Sequence, residues 1–132
     1  MSDSPITLKP PGRQPAIRVT MRPKDTNAFG SVFGGVILSL IDEAAFVEAV
    51  RQNPRRYVTI AMNKVVFGKP VHVGDIVTLW AEALSVGRTS MRIRVTVSSR
   101  SLRTNEDVTV TTAEVTMVAV NEQGRSVSIA GD

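Results

Sequence analysis

Cysteine is absent from the 132 residues, which removes disulfides, thiolate nucleophiles and Cys-based zinc sites together. Histidine occurs once, as His72 in the turn KPVHVGD, where an exposed turn residue is the plain reading. A zinc site would then need an unusual set of carboxylates, so no metal is expected. Aromatic residues are only 5% of the chain, too few for the basic clusters with interleaved aromatics that mark nucleic-acid binding. The longest apolar run, around Val36–Val50, is too short and too charged to span a bilayer. The opening MSDSPITLKPPGRQP holds no apolar export segment. Neither nucleic acid nor membrane is expected as a partner, and the cytoplasm is the expected location. Familiar catalytic layouts are missing too. No Gly-x-Ser-x-Gly elbow precedes a helix, and neither Gly-x-Gly-x-x-Gly nor Walker A spacing occurs. Chemistry is left to carboxylates, amides and backbone dipoles.

What the chain does have is a modest basic surplus, 16 Lys and Arg against 12 Asp and Glu, for a net charge of +4. That is either an ordinary solvated surface or the footprint of a polyanionic, nucleotide-bearing ligand. One domain is expected at this length. Residues 1–15, rich in Pro, Ser and Lys, predict a flexible tail, residues 16–125 the domain, and 126–132 a second tail. AIRVTMRP (Ala16–Pro23) predicts a strand ending at the proline. A polar turn, Lys24–Asn27, and a Gly-Gly pair follow.

From Gly35 to about Arg51 the pattern is helical and apolar on nearly every face, with Ser39, Asp42, Glu43 and Phe46 along one side. A helix of that kind is buried on several sides. Asn53-Pro54 breaks it. Four strands are predicted after it, at Tyr57–Phe67, Asp75–Leu84, Thr89–Ser99 and Val108–Val120. Short connections predict antiparallel neighbours, and the one helix must cover the sheet's apolar face. The expected fold is α+β, a curved antiparallel sheet of about five strands wrapped round one long helix.

DTNAFGSVFGGVILSLIDEAA (Asp25–Ala45) resembles the signature of the hotdog-fold acyl-CoA thioester hydrolases. In that family a D-x-N-x-x-G-x-x-[FH]-G-G segment opens the central helix and an acidic residue follows two turns later. VVFGKPVHVGD (Val65–Asp75) resembles the family's Phe-x-x-Pro-Val-x-x-Gly-Asp turn, and VGRTSMRIRV (Val86–Val95) its Gly-x-[ST]-Ser strand start. The three motifs fall in family order across residues 16–125. A Lys- or Arg-rich C-terminal extension, carried by some relatives, is missing. The resemblance implies the hotdog fold and hydrolysis of an acyl-CoA, with coenzyme A thioester as substrate and no cofactor.

Thioester hydrolysis needs a polarised carbonyl, an activated water and an expelled thiolate. A helix N-terminus offers free N–H groups and a positive dipole end. Phe33, Gly34 and Gly35 stand at that end, where the glycines let substrate approach and their amides can form an oxyanion hole. A tight turn is the alternative use of the glycine pair. The helical wheel does not separate Asp42 from Glu43. The resemblance puts the catalytic acid at Asp42, as general base or nucleophile, and makes Glu43 its neighbour. Asn27 matches the family asparagine that orients water or thioester; a turn-forming Asn is its alternative. Arg88, Thr89 and Ser90 match the strand start lining the CoA channel. Arg55, Arg56, Lys64 and Lys69 are looser candidates for its phosphates.

Asp42 lies about 10 Å along the helix axis from Gly35, too far for one carbonyl to reach both. Two helices packed across a two-fold axis would bring Asn27 and the glycine amides of one chain to Asp42 of the other, so a homodimer with shared sites is expected. The resemblance adds that such dimers commonly assemble into hexamers. The rival reading is a non-catalytic acyl-CoA sensor on the same fold, which has no need of a carboxylate beside the thioester. A hotdog dehydratase is a third, disfavoured because His72 sits away from the helix.

Overall fold

A computed structural model describes residues 6–131, with β1 at Ile17–Thr20, a short 3-10 turn at Pro23–Asp25, and α1 at Gly34–Gln52. Four long strands follow, β2 at Tyr57–Phe67, β3 at Ile76–Val86, β4 at Ser90–Arg100 and β5 at Asp107–Ala119. They form one antiparallel sheet in the order β1-β3-β4-β5-β2, and α1 lies across its apolar face. Alternation in β4 is strict enough to read directly. Met91, Ile93, Val95 and Val97 are buried under the helix, while Arg92 and Arg94 point out and pair with Glu114 (2.9 Å) and Glu82 (2.8 Å) on the neighbouring strands. Such exposed pairs fix register more than they stabilise.

One pairing differs from the sequence expectation. β2 does not form a hairpin with β3; it crosses the sheet and pairs with β5, from Tyr57 opposite Ala119 to Phe67 opposite Thr111. The reason is occupancy of the edges. β1 already holds one edge of β3, with Ile17 opposite Leu79, and β4 holds the other. The free edge of β5 is all that remains for β2. The crossing segment is held by Asp75, 8% exposed, whose carboxylate accepts the His72 N–H (3.0 Å) and the Ser99 hydroxyl (3.0 Å). His72 is exposed, as a turn residue should be.

The helix begins and ends close to expectation. The Asn53 N–H closes the last turn on the Ala49 carbonyl, and Pro54 cannot extend the ladder. Ile37, Ile41, Ala44, Ala45 and Ala49 face the sheet, and the alanines let the helix settle low on it. Ser39, Asp42, Glu43, Phe46 and Val47 form an exposed flank in the single chain.

Both tails pack more than composition indicates. The Lys9 N–H donates to Gln52 (2.7 Å), Gln52 donates back to the Lys9 carbonyl (3.0 Å), and Arg51 donates to the Pro10 carbonyl (2.8 Å). Beneath them Glu48, 4% exposed, receives bonds from Arg51 and Gln52, so the strap lies over an ion pair whose acid is buried and whose Arg51 partner is half-exposed. At the other end Ile129 is fully buried; its N–H donates to the Arg88 carbonyl (2.8 Å) and its own carbonyl accepts from Asn53 and Arg55. The rest of the predicted tails, residues 1–5 and 132, lies outside the described residues. Ile129→Ala is expected to cost about 2–5 kcal/mol, read from the midpoint of urea unfolding. An unchanged midpoint would mean that the segment is not part of the core.

Candidate active site

The segment from Asp25 to Phe33 is a tight loop with its own bonding. Asp25 accepts the Arg22 N–H (2.9 Å), which holds its carboxyl below the usual range, and its carbonyl accepts the Phe33 N–H (2.9 Å). The Oδ1 atom of Asn27 accepts the N–H groups of Phe29 (2.8 Å) and Ser31 (3.2 Å). Asn27 therefore shapes the turn. Both bonds fall on its oxygen, which leaves the Nδ2–H donors uncommitted among the described residues. Gly30, at φ +84°, takes the left-handed position that the turn requires. The Val32 N–H then donates to the Val71 carbonyl (2.7 Å), fastening the loop to the turn that Asp75 organises.

At the start of α1 the Phe33 carbonyl accepts from Val36 (3.0 Å) and Ile37 (3.4 Å), and Phe33 makes no side-chain cap. The N–H groups of Gly34 and Gly35 have no acceptor among the described residues. Neither glycine has a positive φ, so a left-handed turn is not why they are there. A side chain at Gly35 would enter open space, and one at Gly34 would touch the Phe67 ring at 3.5 Å. Neither backbone strain nor lack of space requires a glycine at these two positions.

Asp42 sits halfway along α1 on the exposed flank. Its Oδ1 accepts a hydrogen bond from the Thr59 hydroxyl on β2. Glu43 borders the same cleft of ≈ 560 Å³, with Phe46, Tyr57 and Met117, and makes no hydrogen bond among the described residues. The Thr59 contact separates two carboxylates that a helical wheel could not. Thr59 itself was missed by the sequence reading, because nothing in YVTIAMNK says which β2 side chain will meet the helix.

One chain does not unite the expected residues. Gly34 borders a second cleft of ≈ 310 Å³, with Val32, Ile37, Phe67, Pro70 and Val71, separate from that of Asp42. Arg88 and Thr89 lie in the β3–β4 turn and Ser90 opens β4, where it pairs with Val118 while the Thr89 carbonyl accepts the Ala119 N–H (2.9 Å). That is beside Met117, on the Asp42 side. Arg55 and Arg56 approach the same end, since Arg55 bonds Ile129 and the Arg56 carbonyl accepts the Val120 N–H. Lys69 borders the Gly34 cleft, and Lys64 pairs with Glu114 at 3.4 Å on the outer face. No group of three or more His, Cys, Asp or Glu among the described residues could hold a metal ion. No helix among them is long and apolar enough to cross a membrane.

Comparison with known proteins adds the following. The family model described as the thioesterase superfamily matches residues 29–106. An uncharacterized acyl-CoA thioester hydrolase of Zymomonas mobilis is 40% identical over 124 residues, covering 94% of this chain and 83% of that protein. A second, from Haemophilus influenzae, is 39% identical over 116 residues, covering 86% and 75%. Among solved structures, a hexameric hotdog fold thioesterase of Campylobacter jejuni superimposes with a TM-score of 0.84 at 39% identity, covering 88% of this chain and 90% of that one. A hexameric broad specificity acyl-coenzyme A thioesterase gives a TM-score of 0.83 at 38% identity, covering 88% and 80%.

The Asn27 turn can be tested without any activity. Asn27→Ala removes the acceptor for two amides, so exchange at Phe29 and Ser31 should quicken by about fivefold, the equivalent of ~1 kcal/mol. Asn27→Asp keeps the acceptor and should keep the protection. Equal exchange in wild type and Asn27→Ala would show that the side chain does not hold the turn.

Proposed function

The chain belongs to the thioesterase superfamily, and from that premise we propose that it hydrolyses acyl-CoA thioesters to a carboxylic acid and coenzyme A. The observation that carries the mechanism is the placement of two half-sites on one bare strand edge. β2 ends the sheet, and Val58, Ile60, Val66 and Phe67 on it are exposed. A long apolar edge invites another strand. Thr59, holding Asp42, sits near one end of β2, and Phe67, against Gly34, at the other. Their β5 partners are Met117 and Thr111, and the two lie about 20 Å apart within a chain. If two β2 edges pair antiparallel about a two-fold axis near Asn63, Thr59 of one copy meets Phe67 of its partner. Asp42 then faces the partner's Gly34 and Gly35 amides, and each dimer has two such sites.

In that site the thioester oxygen accepts hydrogen bonds from the Gly34 and Gly35 N–H groups, and the helix dipole favours the charge that develops there. Asp42, held by Thr59, takes a proton from water, and the hydroxide adds to the carbonyl carbon. The carbon–sulfur bond breaks, and the leaving thiolate takes up the proton. Attack by Asp42 itself, through an acyl anhydride, uses the same geometry. Asn27 donates from Nδ2 to the water or the thioester. Arg88, Thr89 and Ser90 receive the CoA arm, with Phe33 bordering the entrance. No step calls for a cofactor. The hexameric state of the similar solved structures supports three such dimers per assembly.

Purified protein should release CoA thiol from members of an acyl-CoA panel, with EDTA making no difference. A non-catalytic sensor would bind these esters and release nothing. Asp42→Asn is expected to lower turnover by about 10²–10⁴-fold, Thr59→Val by about 10–100-fold through a misplaced carboxylate, and Glu43→Gln by much less. A larger loss at Glu43 would move the base along the helix.

Assembly of each site from two chains has its own test. Asn27→Ala and Asp42→Ala homo-oligomers should each be nearly inactive. Co-expression should restore roughly a quarter of wild-type activity, since about half the dimers are mixed and each has one intact site of two. Mixed dimers as inactive as the single variants would put the site within one chain.

A further inference from the structure

The motif VVFGKPVHVGD closes on a buried acid, Asp75, that the proposed chemistry leaves without a role. We infer that Asp75 is a positioning residue for the reaction. Its carboxylate fixes the turn from which the Asn27 loop hangs, and so sets where the Asn27 amide stands. The inference rests on the hydrolase reading above.

The loop is fastened to that one turn at both ends. At its start the Met21 N–H donates to the Asp75 carbonyl (2.9 Å), and the Met21 carbonyl accepts the Gly74 N–H (2.9 Å). At its end the Val32 N–H donates to the Val71 carbonyl (2.7 Å), and Ser31 forms an antiparallel bridge with His72. Asn27 is tied to this second end. Its N–H donates to the Ser31 carbonyl (2.7 Å), and its Oδ1 accepts the Ser31 N–H (3.2 Å). A shift of the Val71–His72 limb therefore reaches Asn27 through Val32 and Ser31.

What holds that limb is the Asp75 side chain. Its Oδ2 accepts the His72 N–H (3.0 Å) from within the turn and the Ser99 hydroxyl (3.0 Å) from β4. Ser99 continues the buried row of β4 beyond Val97, so the turn is pinned to the central strand of the sheet. Two donors from different elements converge on one oxygen, and an anionic acceptor holds such a pair more tightly than a neutral one. The Met21 end has separate support, since it follows directly on β1, where Thr20 faces Ile76 in the sheet. Loss of the carboxylate frees the Ser31–Val32 end, the one that leads from Asn27 into α1.

The test compares variants of the full-length protein by steady-state kinetics, on an acyl-CoA that the wild type hydrolyses, and by amide exchange. Asp75→Ala should lower kcat by about tenfold with KM within about twofold, since a group that acts in the transition state is displaced while substrate binding is kept. Exchange should quicken at His72, Val32 and Asn27 and stay unchanged at Met21. Asp75→Asn keeps the shape and an acceptor oxygen, and should return kcat to within about threefold of wild type. Ser99→Ala removes one of the two donors and should lower kcat by about threefold.

The deciding comparison is made on top of Asn27→Ala. A residue that acts through Asn27 has nothing left to place there, so Asp75→Ala should cost less than about 1.5-fold more. If Asp75→Ala does not fold, Ser99→Ala takes its place in both backgrounds. The same loss with and without Asn27 would mean that Asp75 supports the fold in general, and would overturn the inference. A wild type inert on every acyl-CoA would remove the hydrolase reading and this role together. An active wild type whose kcat is unmoved in folded Asp75→Ala would overturn this role alone.

Discussion

The architecture turns on which strand closes which edge of the sheet. β1 is four residues long and takes the free edge of β3. That small strand sends β2 to the far side of β5 and leaves an eleven-residue strand at the boundary, with its outer hydrogen-bonding groups unused. A short edge is harmless, and a long apolar one calls for a partner. Had β2 paired with β3 as a hairpin, both edges would have differed, and Thr59 and Phe67 would sit against neighbours in their own chain. The proposed shared site is a consequence of this single exchange of neighbours.

The same strand explains why the exposed flank of α1 carries an acid. A carboxylate among Ile41, Ala44 and Ala45 looks misplaced in sequence. In the fold those three turn towards the sheet, and Asp42 looks along the β2 side, where Thr59 meets it. Phe46 and Val47 share this flank and are exposed in one chain at 43% and 40%. Apolar groups beside a hydrogen-bonded carboxylate fit a face that is covered by a second copy, since burial strengthens whatever electrostatic contact survives it.

How much of this could be read from the chain alone depended on whether the signal was local. The β4 strand, with its alternating Met91, Ile93, Val95 and Val97, was legible to within a residue, and so was the helix stop at Asn53-Pro54. The consecutive antiparallel neighbours β3, β4 and β5 were legible too, but the place of β2 was not, because its pairing with β5 is decided by β1 forty residues upstream, which periodicity does not encode. The tails misled for another reason. Ile129 and Lys9 sit in segments too short for a pattern, and their anchoring comes from Asn53, Arg55 and Gln52 far away in sequence. In the candidate site, the Gly-Gly pair and the acid were visible through their resemblance to a family motif. Thr59 was not, since it has meaning only once α1 and β2 are packed together.

The distance between base and amides has its own physical logic. Binding a developing oxyanion requires the positive end of α1 to stay uncompensated. An acid in the first turn would sit against Gly34 and Gly35 and neutralise the dipole they present. The first turn of α1 contains no acidic residue, and its cap is Phe33, which offers no side-chain acceptor. Yet a water-activating carboxylate must reach the same carbonyl. Within one chain Asp42 lies about 10 Å along the axis from Gly35, too far to serve a carbonyl held at the first turn. In the proposed dimer Asp42 stays two turns from the amides of its own chain and is delivered to the carbonyl by a second copy. In the proposed two-chain site a second copy closes that distance, and the bare β2 edge is the place the fold offers for it.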